Sequence, residues 1–163
     1  MKIAVALVVA GLVLSADVAV AGTKSDGIVF HPIPGWSTPG SPASKLPLSD
    51  SVSVDRELYL SGQIGNVQPG QPVVTGGIPA EAKQTMENIK ATLAAQRLTY
   101  ADLVKCTVFI TDMTQLADFN AVYSPYFKPG RLPARSAIGI TSLTLGAHVE
   151  VECIAAFPGR RDR

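Results

Sequence analysis

Between Ile78 and Met113 the apolar residues change their spacing, and that change restricts the fold more than any other feature of the chain. In IPAEAKQTMENIKATLAAQRL, the residues Ala82, Met86, Ile89, Leu93 and Ala94 recur at helical intervals, the stripe of an amphipathic helix. Pro79 suits the first helical position and Glu81 suits the first turn, near the positive end of the helix. A few residues later ADLVKCTVFITDM alternates instead: Val104, Cys106, Val108 and Ile110 on one side, Lys105, Thr107, Phe109 and Thr111 on the other. Alternation is the signature of a strand. Phe109 on the second side means that neither face of this strand is simply wet.

The remaining segments repeat the two patterns. SVSVDRELYLSGQIG reads as a β-hairpin turning at Asp55–Glu57, between Val52/Val54 and Leu58/Leu60. Gly62 and Gly65 stand at its end, where the backbone approaches something closely. NVQPGQPVVTGG is turn and loop. TQLADFNAVYSPYF reads as a second helix with Leu116, Phe119, Val122, Tyr123 and Tyr126 largely on one side, ended or kinked by Pro125. KPGRLP is a loop, and ARSAIGI and AHVEVECIAAF are the last two strands. The order ββαβαββ is an α+β arrangement with two helices on one face of a sheet. The other face carries Phe109, Thr107, Ile154, Glu150 and Glu152. Its half-apolar character argues for burial against another copy of the chain.

The chain has 163 residues, 47% of them hydrophobic and 17% charged, which suits one globular domain at residues 48–157. The net charge of +1 creates no field able to gather nucleic acid, and the basic cluster at 158–163 reads as a solvated tail. At the start, Lys2, an apolar run from Ile3 and the Ala19-Val20-Ala21 triplet form the pattern of a secretory signal over 1–21. The product expected after cleavage is periplasmic or secreted, with no membrane attachment. Residues 22–47 read as a proline-rich arm, with Trp36 anchoring it. The two cysteines and two histidines have no metal-ligand spacing. No phosphate loop, dinucleotide fingerprint or nucleophile elbow is present, so any chemistry is cofactor-free.

Two charged residues stand in apolar strands. Arg135 opens one of the last two, and Glu150 lies on the next. If these strands form a hairpin, both side chains can share one face. Arginine offers a planar fork for a carboxylate, and a glutamate in a partly dry pocket can exchange protons near neutral pH. The pair reads either as a pocket for a small carboxylate-bearing substrate or as a structural salt bridge.

LYLSGQIG at 58–65, GGIPAEAKQTMENIKATL at 76–93, LVKCTVFITDMTQLADFNAVYSPYF at 103–127, PARSAIGI at 133–140 and VEVECIA at 149–155 together resemble the RidA (YjgF-like) imine deaminase family. The resemblance implies a chorismate-mutase-like fold and a homotrimeric barrel with pockets between subunits. It implies hydrolysis of small 2-imino or enamine acids to 2-keto acids and ammonia. It points to Arg135 as the residue holding the substrate carboxylate and to Glu150, rather than Glu152, as the residue serving a water. Ser61, Gly62 and Ala137 match pocket-lining positions, and Asn120 matches a structural one. Two positions depart from the family pattern: Ala137 stands where many active members have cysteine, and Leu48 where many have tyrosine. In the family's strand order the last strand lies beside the strand of Cys106. A Cys106–Cys153 disulfide is therefore an alternative to the two buried free thiols otherwise expected. The competing functions are a non-catalytic trimer that binds small carboxylates and a ribonuclease or translation inhibitor. N-terminal sequencing of exported protein should begin at or near Gly22; recovery of the full-length chain in the cytosol alone would overturn the export reading.

Overall fold

The computed structural model describes residues 27–34 and 40–159. The signal segment, Trp36 and most of the basic tail lie outside the described residues. Eight elements follow one another: β1 (Ile28–His31), β2 (Ser51–Val54), β3 (Glu57–Ile64), α1 (Gly77–Ala95), β4 (Leu103–Ile110), α2 (Leu116–Tyr123), β5 (Ala134–Gly139) and β6 (Val149–Ala156). They build a mixed α+β domain with one six-stranded sheet in the order β1-β2-β3-β6-β4-β5. The expected ββαβαββ order holds, preceded by β1. This strand falls within the segment read as an arm, and it pairs only along the sheet edge, against β2, where flanking prolines are tolerated.

Local chemistry explains the boundaries. Asp55 takes a positive φ of 52° in the tight turn between β2 and β3. The α1 stripe buries Ile78, Ala82, Met86, Ile89 and Leu93, while Ala94 is exposed. The helix starts at Gly77, so Glu81, expected in the first turn, lies beyond it and on the buried side. The helix stops in a Schellman motif: Leu98 N–H donates to the Leu93 carbonyl and Arg97 N–H to that of Ala94, each at 2.9 Å. α2 ends at Tyr123, and Pro125 sits in the 3₁₀ turn that follows.

The helices cover one face of the sheet. Their apolar sides meet Leu58, Leu60, Cys106, Val108, Ile110, Val149, Val151 and Cys153 in a single core. Alternation along β4 holds from Lys105 onward. A register shift between Leu103 and Lys105 turns Leu103 inward and leaves Val104 47% exposed, contrary to straight alternation.

Two sequence expectations are corrected here. β5 and β6 do not form a hairpin: β5 pairs with β4 in parallel, and β4 separates it from β6. The loop between them is long enough to cross over an intervening strand. The cysteines are not free. β6 runs antiparallel to β4 with Cys106 opposite Cys153, Cα atoms 4.1 Å apart, and the two form a disulfide. Burial alone favours thiols; register brings these two side chains together on one face.

Among the described residues no helix covers the opposite face. One cross-strand row runs Phe30, Val52, Tyr59, Ile154, Lys105, with Thr107, Phe109, Glu150 and Glu152 beside it. The disulfide closes a loop with a sequence separation of 47. Replacing both cysteines with alanine should lower unfolding free energy by about 2–4 kcal/mol in chemical denaturation. Thiol titration of native protein should find no reactive groups.

Candidate active site

The bulge in β3 shapes the site. Leu60 pairs with Cys153 and Gln63 with Val151, so Ser61 and Gly62 oppose Glu152 with one residue to spare. This irregularity lets β3 curve around Glu150 on the neighbouring strand. A Cβ added at Gly62 would fall on the Glu150 carboxyl, so glycine here leaves that side chain its present position. Gly65 plays the same part against α1, where a Cβ would lie 2.6 Å from the Glu81 Cα. The close approach expected at both glycines is thus accounted for.

Leu48, Ser61, Gly62 and Glu150 line one cavity of about 350 Å³. The Ser61 hydroxyl donates to the Ser49 carbonyl at 2.7 Å and is engaged with backbone. Glu150 is half-buried on the open face of the sheet. Burial, and then the neighbouring Glu152 carboxylate, push its pKa above the ordinary value of 4.5. A carboxylate held this way is a stronger base than an ordinary glutamate, which suits it to accept a proton.

Arg135 and Ala137 lie elsewhere. In the β4–β5 register Arg135 stands opposite Cys106 and Ala137 opposite Val108, on the helical face. The Arg135 guanidinium carbon lies 4.9 Å from the Tyr123 ring centroid and 5.8 Å from that of Phe119. These rings support the flat face of the guanidinium and leave its N–H edge for a partner. The phenol of Tyr123 is pushed up to about 12 by burial, against the opposing pull of Arg135. Within one chain, then, Arg135 and Glu150 sit on opposite faces and two strands apart. The ion pairs among the described residues are Lys90–Glu87 and His148–Glu81, so the structural Arg135–Glu150 salt bridge is not formed.

Two features escaped the sequence reading. Glu81 is 1% exposed; it accepts the His148 backbone N–H at 2.8 Å, and the His148 Nδ1 lies 2.6 Å away. The His148 carbonyl accepts from Thr111 N–H at 3.0 Å. This clamp ties the start of β6, two residues before Glu150, to α1 and β4. Its signal was an acid within the buried stripe Ile78, Glu81, Ala82, Thr85. The second feature is Asp50, which lines the same cavity as Glu150. It sits just ahead of the alternating β2 pattern, where no periodicity singles it out. No group of histidine, cysteine and acidic side chains that could hold a metal occurs among the described residues.

The family model described as Endoribonuclease L-PSP matches residues 38–157, and the chain belongs to this RidA/YjgF family. It is 40% identical over 119 residues to the 2-iminobutanoate/2-iminopropanoate deaminase of Mus musculus, an alignment covering 73% of this chain and 87% of the mouse protein. The crystal structure of RidA from the Antarctic bacterium Psychrobacter sp. PAMC 21119 superposes with a TM-score of 0.65 at 29% identity, covering 82% of this chain and 97% of that one. Escherichia coli TdcF with bound serine superposes at 0.62 and 31% identity, covering 69% and 90%.

The raised Glu150 pKa has a consequence for stability. Ionisation is harder in the folded than in the unfolded chain, so this group destabilises the fold progressively as pH rises from 4.5 through its folded value. Glu150→Gln should therefore melt no lower than wild type at pH 7, and any advantage should vanish toward pH 4. Scanning calorimetry across that range checks it; a lower melting temperature at pH 7 would restore a structural role.

Proposed function

We propose that this protein hydrolyses small 2-imino or enamine acids to 2-keto acids and ammonia, in pockets shared between copies of the chain in a homotrimer. The observation that carries this reading is the separation of Arg135 from Glu150: each is presented without an ionic partner among the described residues, on opposite faces of one sheet. One chain cannot bring the two together. Two copies can, if the β5 edge of one lies against the cavity of the next. The uncovered row Phe30, Val52, Tyr59, Ile154 supports burial of the open face in such an assembly. The relatives named 2-iminobutanoate/2-iminopropanoate deaminase support the reaction type.

In this reading Arg135 receives the substrate carboxylate through its N–H edge and fixes the imine carbon near Glu150. Glu150 takes a proton from a water as the water oxygen bonds to that carbon. That proton passes to nitrogen and gives a carbinolamine; its hydroxyl proton then moves through Glu150 to the amino group, the C–N bond breaks, and ammonia leaves as the C=O bond forms. An enamine first gains a proton at carbon and loses one from nitrogen to become the imine. Leu48 and Ala137 make the walls less polar than tyrosine and cysteine would, which favours substrates larger than the smallest enamines. The Cys106–Cys153 disulfide supports the proposed export, since such bonds persist in oxidising compartments. The endoribonuclease reading fits less well, because Glu150 and Asp50 in the cavity would repel a phosphate backbone.

The test is an ammonia-release assay on freshly generated imino acids. Arg135→Ala should weaken binding of keto acids at least about tenfold. Glu150→Gln should spare binding and slow hydrolysis by roughly 10²-fold or more. Mixing the two inactive variants under conditions that exchange subunits should recover about a quarter of wild-type activity, because some mixed sites pair an intact Arg135 with an intact Glu150. If keto acids bind Arg135→Ala normally, or mixing recovers nothing from trimers shown to exchange, the shared site is wrong.

A further inference from the structure

The lining of the Glu150 cavity holds a second acid, Asp50, and no lysine, arginine or histidine among the described residues. Asp50 is half-buried at the entry to β2, fixed by backbone bonds from its own N–H to the His31 carbonyl at 2.8 Å and from Ser61 N–H to its carbonyl at 3.0 Å. Its side-chain hydrogen-bond partner is Thr92 on α1, a neutral group. Neither ion pair among the described residues includes it. The base whose charge bears on it is His31, whose imidazole burial pulls below its ordinary value despite the carboxylate, and whose Nε2 lies 3.0 Å from the Ser53 Oγ. Burial likewise raises the Asp50 carboxyl pKa, as expected for an acid lacking a counter-charge.

Asp50 also faces a second hollow of about 200 Å³, which shares Ile33, Gln63 and Asn66 with the first and continues toward Asn88 and Thr92. Asp50 is thus common to the lining of both hollows. The two acids give the Glu150 cavity a negative character, with apolar walls at Ile33, Leu46 and Leu48. An alkyl chain can lie along such walls, but an alkyl end leaves Asp50 partly desolvated and unpaired. A cationic end supplies the missing charge.

Resting on the deaminase reading above, we infer that Asp50 determines substrate preference: it pairs with the cationic end of a substrate side chain, so that the pocket favours 2-imino acids whose side chain ends in a basic group.

The experiment compares two substrates of matched length, the imines made by an amino-acid oxidase from arginine and from citrulline, with the imine from norvaline as an alkyl reference. The same amino acids serve as stable ligands in calorimetry on the full mature protein. Wild type should prefer arginine to citrulline at least about tenfold, in kcat/KM and in affinity. In Asp50→Asn that ratio should fall toward one. A wild-type ratio near one, or an undiminished ratio in Asp50→Asn, overturns the proposal; the wild-type ratio decides even if the variant does not fold. The two readings fail separately. Hydrolysis of the norvaline imine without charge preference retains the deaminase and removes the role of Asp50. Asp50-dependent binding of arginine over citrulline, with no imine hydrolysed, retains the cation subsite and removes the deaminase.

Discussion

Parity along β6 governs the molecule. This strand lies between β3 and β4 at the centre of the sheet, and its residues alternate between a packed face and an open one. Val149, Val151, Cys153 and Ala155 enter the core, while Glu150, Glu152 and Ile154 face away from the helices. A slip of one residue would bury two carboxylates and expose the core. The Cys106–Cys153 disulfide and the Glu81–His148 clamp hold that register at two points. The β3 bulge then adapts the neighbouring backbone to the Glu150 side chain. Stability and site placement thus rest on one register.

The same geometry places the destabilising groups where chemistry is proposed. Glu150 and Asp50 are acids whose ionisation burial opposes, and Arg135 is a cation resting on aromatic rings without a carboxylate. A protein selected for stability alone would pair or remove these groups, since partly buried unpaired charge is costly. By contrast, the Glu81 carboxyl is deeply buried and engaged at both oxygens by His148. The contrast separates an acid that holds the fold from acids that await a partner. What each site acid lacks is what a ligand or a second copy would bring.

Much of this was legible in the residues. The helical stripe of α1, the alternation of β3 and β6, the end of α2 before Pro125 and the close approaches at Gly62 and Gly65 follow from local spacing, because each depends on contacts within a few residues. The apolar face of the sheet left without helices was also readable, because two helices can cover only one side. The motifs that resemble the RidA family singled out Leu48, Ser61, Gly62 and Glu150, which share one cavity.

Other features depend on which strands become neighbours. The chain passes β5 to the far side of β4, so Arg135 and Glu150 are adjacent in sequence order but not in space. The register of β4 against β6 converts two buried thiols into a disulfide. The bulge near Val104 breaks an alternation that looked regular, and Glu81 and Asp50 acquire roles from residues far along the chain. The sequence by itself determined the elements and their inward faces, since hydrophobic periodicity is local. Only the tertiary structure decided which charged groups met, which stayed apart and which lacked a partner, since strand order and register are settled by long-range packing.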